Sequence, residues 1–176
     1  MRSPTLFNPF AASQYIQQEM ERLPQGVRRL AARLHSRHSL AQLWSVLTDY
    51  TALSRFIPNL ASSRLLWRQG NRVGLEQVGS QQFCGLRFSA RVELELVEEP
   101  DDNRLRFSML RGDFRRFEGA WLLEPAPEDG SCWLRYELTV QGKAGMPIGL
   151  VESRLREDLA SNLTSVELET EARRQA

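Results

Sequence analysis

At 176 residues, with 41% hydrophobic and 26% charged side chains and a formal net charge of +1, the chain is sized for one domain with a substantial core. So small a net charge supplies no bulk field for a polyanion, and no nucleic-acid partner is expected. Cys84 and Cys132 are too few for a disulfide scaffold or a thiolate metal site, and both read as small buried hydrophobes. Before Pro24 there is no uninterrupted apolar segment suited to a secretory signal, and no stretch reaches the ~18 apolar residues of a membrane span, so a cytoplasmic protein is expected.

Residues 1–26 read as an appendage to the domain. Asn8-Pro9 is a cap followed by proline at a first helical position, and Ile16, Met20 and Leu23 recur at helical spacing until Pro24-Gln25-Gly26, which predicts a helix on the outside of the domain. Val27 to His35 then alternates, with Leu30, Ala32 and Leu34 against Arg29 and Arg33, the period of a half-buried strand. Ser39 caps a helix whose stripe is Leu40, Leu43, Trp44 and Leu47. That helix breaks at Asp49-Tyr50. A second short one carries Leu53, Phe56 and Ile57 and stops at Pro58, which lacks a donor and disfavours helical geometry in the residue before it.

From Ser62 onward the period is two. Gly70-Asn71 marks a turn between Ser63 to Arg68 and Arg72 to Gln82, where Val73, Leu75, Gln77 and Gly79 share a face. The cleanest alternation runs from Gly85 to Glu98, with Leu86, Phe88, Ala90, Val92, Leu94 and Leu96 on one side. A strand so much longer than the usual ~5–6 residues must curl around something. Leu105, Phe107 and Met109 continue the inward row, followed by Phe117, Gly119, Trp121 and Leu123, and then by Cys132, Leu134, Tyr136, Leu138 and Val140. Pro147 opens a final amphipathic helix to about Glu171, striped with Ile148, Val151, Leu155, Leu159, Leu163 and Val166, on which Glu152 is expected to stay wet. Gly149 and Asn162 locally thin that stripe.

This order of elements predicts an α+β fold: a curved antiparallel sheet of six to seven strands wrapped around a long C-terminal helix, with two short helices after the first strand. Trp44 to Leu66 (WSVLTDYTALSRFIPNLASSRLL), Gly112 to Trp121 (GDFRRFEGAW) and the LREDLASNL segment of the last helix resemble the START-like helix-grip superfamily. This superfamily is also called SRPBCC, or polyketide cyclase/dehydrase and lipid transport, and within it the chain resembles the coenzyme Q-binding protein group. The resemblance spans about Val27 to Val166 and implies a ligand-binding domain at residues 27–172. Phe56 and Pro58 match a Phe-x-Pro-Trp pattern usual in coenzyme Q-binding members, with Asn59 where they carry tryptophan.

A concave sheet gripped by a helix leaves a cavity, typically ~300–1,000 Å³ and mostly apolar. The expected wall is Phe88, Phe107, Met109, Phe117, Trp121 and Tyr136, over a floor of Leu155, Leu159 and Leu163. Each of these side chains also has a plainer reading as core. Gln77 and Tyr136 are the polar handles for a ligand carbonyl or hydroxyl, and the turn holding Phe56 and Pro58 is placed at the cavity mouth by the resemblance. The implied activity is binding and transport or chaperoning of a hydrophobic small molecule, an isoprenoid quinone or other lipid, with peripheral membrane contact during exchange.

No catalytic residue, metal site or cofactor is expected. His35 and His38 lie three apart without a third imidazole and are expected to be solvated. No nucleophile elbow, phosphate loop or dinucleotide fingerprint occurs. Arg91 or Asp113 is a candidate for polarising a carbonyl, which keeps an aromatase/cyclase alternative open. A ribosome-associating, toxin-like alternative requires a basic face, whereas the arginines between Arg64 and Arg116 interleave with acids.

Overall fold

The alternating stretches form strands because one side of each is apolar and the other charged. In a computed structural model describing residues 16–83, 85–127 and 130–176, they join into one antiparallel sheet. The elements are β1 (Ile16–Arg22), β2 (Arg28–Ser36), α1 (Leu40–Leu47), α2 (Leu53–Phe56), β3 (Leu60–Gln69), β4 (Arg72–Phe83), β5 (Leu86–Glu99), β6 (Arg104–Gly112), β7 (Phe114–Pro125), β8 (Cys132–Gly142) and α3 (Ile148–Gln175). Among the described residues the strand order is β1-β2-β8-β7-β6-β5-β4-β3. Strands β3 to β8 are a meander, and the long return through α1 and α2 lets β2 lie beside β8.

One strand more than expected is present, because Ile16–Arg22 is a strand and not the outer part of a helix. The spacing of Ile16 and Met20 fits one face of a helix, but four is also an even number, so both residues share a strand face as well. That face is completed by Gln18, whose amide donates to the Arg156 carbonyl at 3.1 Å, and by Arg22, which pairs with Glu152. Strand β1 thus ties the sheet edge to α3. The Asn8-Pro9 cap lies outside the described residues, as does Cys84.

Helix α1 is capped by Ser39 as expected, and Gln42 makes the cap a reciprocal capping box. Tyr50 is buried after the break, and its hydroxyl donates to Glu98 Oε1 at 2.5 Å. Asp49 holds the far end of α3 through Arg173 at 2.9 Å. Helix α3 runs 28 residues, roughly 42 Å at ~1.5 Å per residue, and crosses the inner face of the sheet. Its second half is packed solidly: Leu159, Leu163, Val166 and Thr170 are buried, with Leu30, Leu34, Leu134 and Leu138 in the same core.

Two polar residues are buried where solvation was expected. Glu152 is 7% exposed because Arg22 and Arg28 both reach it, at 2.8 and 2.6 Å. These hydrogen bonds, Arg22 first, hold its carboxyl at about 2, against an ordinary 4.5. His38 is 6% exposed beneath α3, with Glu167 at 3.5 Å and Glu171 at 3.7 Å, while His35 stays exposed beside Trp133. Glu171 is also held at about 2, chiefly by hydrogen bonds from Arg174 and then Gln175.

Carboxyls lowered on folding contribute stability above their unfolded pKa and lose it as pH falls toward the folded value. Thermal stability is therefore expected to drop as pH is lowered from about 4.5 to about 2. Circular dichroism melts across that window check it, and Glu152→Gln should flatten part of the slope.

Candidate functional site

The sheet and α3 do not meet along their whole length. Near the start of α3 they enclose a cavity of about 390 Å³. Helix α3 packs on β1, β2 and β8, and the cavity lies between it and the inner faces of β4 to β7. Irregular pairing between Leu65 and Trp67, between Glu93 and Leu94, and between Phe114 and Arg116 adds local twist to those strands.

The wall is aromatic. Phe107, Phe117, Trp121 and Tyr136 all line it, joined by Phe88 at the rim. Tyr136 stacks on Trp121 with centroids 4.2 Å apart and planes 3° from parallel, and Phe107 lies 5.9 Å from both Phe117 and Tyr136. Pairs of this kind fix ring orientation as well as burying area. Leu155 and Leu159 form the helical side, and Pro58 stands at the mouth with Ile57 and Asn59. The mouth is apolar: Phe88 is 51% and Leu150 46% exposed there.

Nine of the twelve residues expected at the site line the cavity: Pro58, Gln77, Phe88, Phe107, Phe117, Trp121, Tyr136, Leu155 and Leu159. The other three are placed elsewhere. Phe56 is partly buried against the core at the end of α2. Met109 packs on the core against Gly112 and is not among the residues lining the void. Leu163 is fully buried in the core and does not line the cavity, although its neighbours Asn162 and Val166 on α3 do. Alternation identifies the inward face of a strand, but not which inward residues meet empty space.

Of the two polar handles, Gln77 is tied to the protein, its amide donating to Ser63 Oγ at 3.2 Å. Tyr136 is different. Burial first, and the negative charge of Asp158 second, push its hydroxyl above the ordinary range, so the phenol keeps its proton. Among the lining residues that the sequence did not point to are Asp158 and Asn162, one turn apart on α3. Their signal was a polar pair interrupting an apolar stripe, and only the thinning of that stripe at Asn162 was noticed.

Neither Arg91 nor Asp113 reaches the cavity. The Arg91 backbone N–H donates to Asp113 Oδ2 at 2.7 Å, and the Arg91 guanidinium pairs with Glu76 at 3.0 Å. Cys132 is buried, its thiol pushed up to about 11 by burial and, secondarily, by Glu167. On the outer face of the sheet a larger groove of about 540 Å³ is lined by charges such as Arg29 and Glu21 or Arg135 and Glu137, which pair with one another. Arg64, Arg68, Arg72, Arg104, Arg106, Arg111 and Arg116 likewise have carboxylate partners, which breaks up any continuous basic face. Among the described residues no group of three or more potential metal ligands occurs, and no helix is long and apolar enough to cross a membrane.

A curved antiparallel sheet closed by one long helix over an apolar cavity defines the helix-grip class. The chain belongs to the family described as polyketide cyclase / dehydrase and lipid transport, which it matches over residues 36–167. Solved structures agree on the fold. A STAR-related lipid transfer protein fragment from Xanthomonas axonopodis superposes with a TM-score of 0.76 at 16% identity, covering 90% of this chain and 94% of that one. Zhui aromatase/cyclase from Streptomyces sp. R1128 gives 0.72 at 14% identity over 84% and 95%. Human StAR-related lipid transfer protein 5 gives 0.73 at 7% identity over 90% and 83%. No curated protein sequence matches the chain significantly.

Proposed function

We propose that this protein binds a hydrophobic small molecule in the cavity and carries or shields it, the guest being an isoprenoid quinone or another lipid. The observation that carries the reading is the aromatic void between sheet and helix, about 390 Å³, with few polar atoms in its wall. An empty apolar cavity costs a fold about 24 cal/mol per Å³ in lost contacts, so a void of this size at the centre of a domain is a liability that a guest removes. The exposed Phe88 and Leu150 at the mouth suit brief contact with a membrane while the guest passes. Support also comes from the family, whose description includes lipid transport, and from neighbours titled as lipid transfer proteins.

Ala90 lines the cavity opposite the helix, and Ala90→Phe would occupy much of the void without touching the packed end of α3. Delipidated Ala90→Phe is expected to bind a lipophilic dye such as Nile red at least about tenfold more weakly than wild type, at an unchanged or higher melting temperature. Equal dye affinity in the two proteins would place binding outside the cavity.

A further inference from the structure

Asn162 stands in the stripe of α3 that otherwise presents leucine and valine to the sheet, and it lines the cavity. Its side-chain oxygen is sealed from solvent and has no hydrogen-bond donor within the protein. A buried acceptor left bare costs about 1–3 kcal/mol, and native proteins rarely keep one without a use. One turn earlier, Asp158 adds a carboxylate that accepts from Asn59 Nδ2 at 3.1 Å. Tyr136, across the void on β8, is a phenol that stays protonated beside that charge. The polar end of the cavity therefore holds two acceptors, the bare Asn162 Oδ1 and the Asp158 carboxylate, and as donors the neutral Tyr136 hydroxyl, the Asn162 amide nitrogen and, one turn before Asp158, the Arg154 guanidinium.

We infer that Asn162 is the recognition point for the guest's head group, and that with Tyr136 and Asp158 it selects a guest bearing a hydroxyl, that is an alcohol, phenol or hydroquinol. This deepens the lipid-binding reading and rests on it. A hydroxyl donates to Asn162 Oδ1, reached by a turn about the soft terminal torsion of the side chain, and still accepts from Tyr136. A carbonyl guest only accepts: Tyr136 or the Asn162 amide nitrogen can serve it, but Asn162 Oδ1 stays bare, at the cost above. A carboxylate guest also only accepts, so Asn162 Oδ1 again stays bare, while Asp158 repels it and Arg154, in the same wall, attracts it. Within the quinone class, the reduced hydroquinol is the form that fits.

The test is calorimetric titration of delipidated protein with 2-dodecanol, 2-dodecanone and dodecanoate. Wild type is expected to bind the alcohol about tenfold more tightly than the ketone, with dodecanoate also behind the alcohol. Asn162→Leu should bring the alcohol-to-ketone ratio to about one while keeping or improving ketone affinity, a pattern that general loss of packing does not produce. Tyr136→Phe should weaken both ligands and leave the alcohol ahead. Equal affinities in wild type, or a preference that survives in Asn162→Leu, overturn the assignment while leaving the lipid-binding reading standing. Failure of wild type to bind either neutral ligand overturns both. The wild-type ratio is decisive on its own if a variant does not fold.

Discussion

Trp121→Asp is expected to abolish guest binding, lowering affinity at least about 100-fold. The indole lines the cavity and is the ring on which Tyr136 stacks at 4.2 Å. Its removal takes away one of the largest apolar contacts a guest can make, worth about 3–5 kcal/mol when truncated in a packed setting. The aspartate adds a second penalty, because an ionised carboxylate in an apolar cavity draws in water that the guest must then displace. Binding of the dye or of 2-dodecanol to delipidated protein measures the loss. Trp133→Asp is the control: Trp133 lies on the other side of the sheet, with the Arg33 guanidinium 4.6 Å from its ring centroid and His35 4.9 Å away. Its loss should leave affinity within about threefold of wild type, and a comparable collapse in both variants would mean that unfolding, not the cavity wall, sets the result.

Gly119→Ala is expected to be the most damaging single methyl in the domain, costing about 3 kcal/mol or more. A Cβ at this position would stand 1.9 Å from the backbone oxygen of Glu137 and 2.7 Å from Phe107 Cζ. The first contact is with main chain and cannot be relieved by a rotamer change. Strand β8 would have to move, and Glu137 is the residue after Tyr136. The same substitution thus displaces Phe107 and Tyr136, two walls of the cavity. For a chain of this length, ~2–4 °C per kcal/mol translates the cost into a fall of roughly 10 °C in melting temperature. A differential scanning measurement reads it, and a fall of only a degree or two would show that β7 and β8 separate more easily than their register implies.

Glycine in step with Phe117 and Trp121 was readable as an inward position, but nothing local to it disclosed the carbonyl of Glu137 so close by. This is the general pattern of what was legible. Strands β4 to β8 announce themselves through two-residue alternation, since each buries one face only, and α1 does so through Ser39 and its stripe. The helix-grip arrangement follows from their order and from the length of α3.

The misreadings have physical causes as specific as the successes. Ile16 and Met20 are four apart, a spacing common to both periodicities, and the tie that decides for a strand is made by Arg22 to Glu152, 130 residues away. Glu152 and His38 were placed in water because their charges suit it; their burial depends on partners contributed by other elements. Membership of the cavity is subtler still. Phe107 and Met109 are equivalent by alternation and pair in one register with Leu96 and Leu94, yet only Phe107 lines the void: its ring sits among Phe117 and Tyr136, whereas Met109 lies against Gly112 at the strand's end. Asn162 shows the opposite case, in which a polar residue in an apolar stripe was visible in the sequence and its meaning was not, until a cavity was found in front of it.

The claim on which the rest depends is that the space between sheet and helix is occupied in the protein as it is made. Native mass spectrometry of freshly and gently purified protein tests it most directly. The expected spectrum shows the 20.2 kDa chain carrying the additional mass of a small lipophilic molecule, released on denaturation and recovered in an organic extract. A spectrum of the bare chain alone, with nothing lipophilic in the extract, would contradict it.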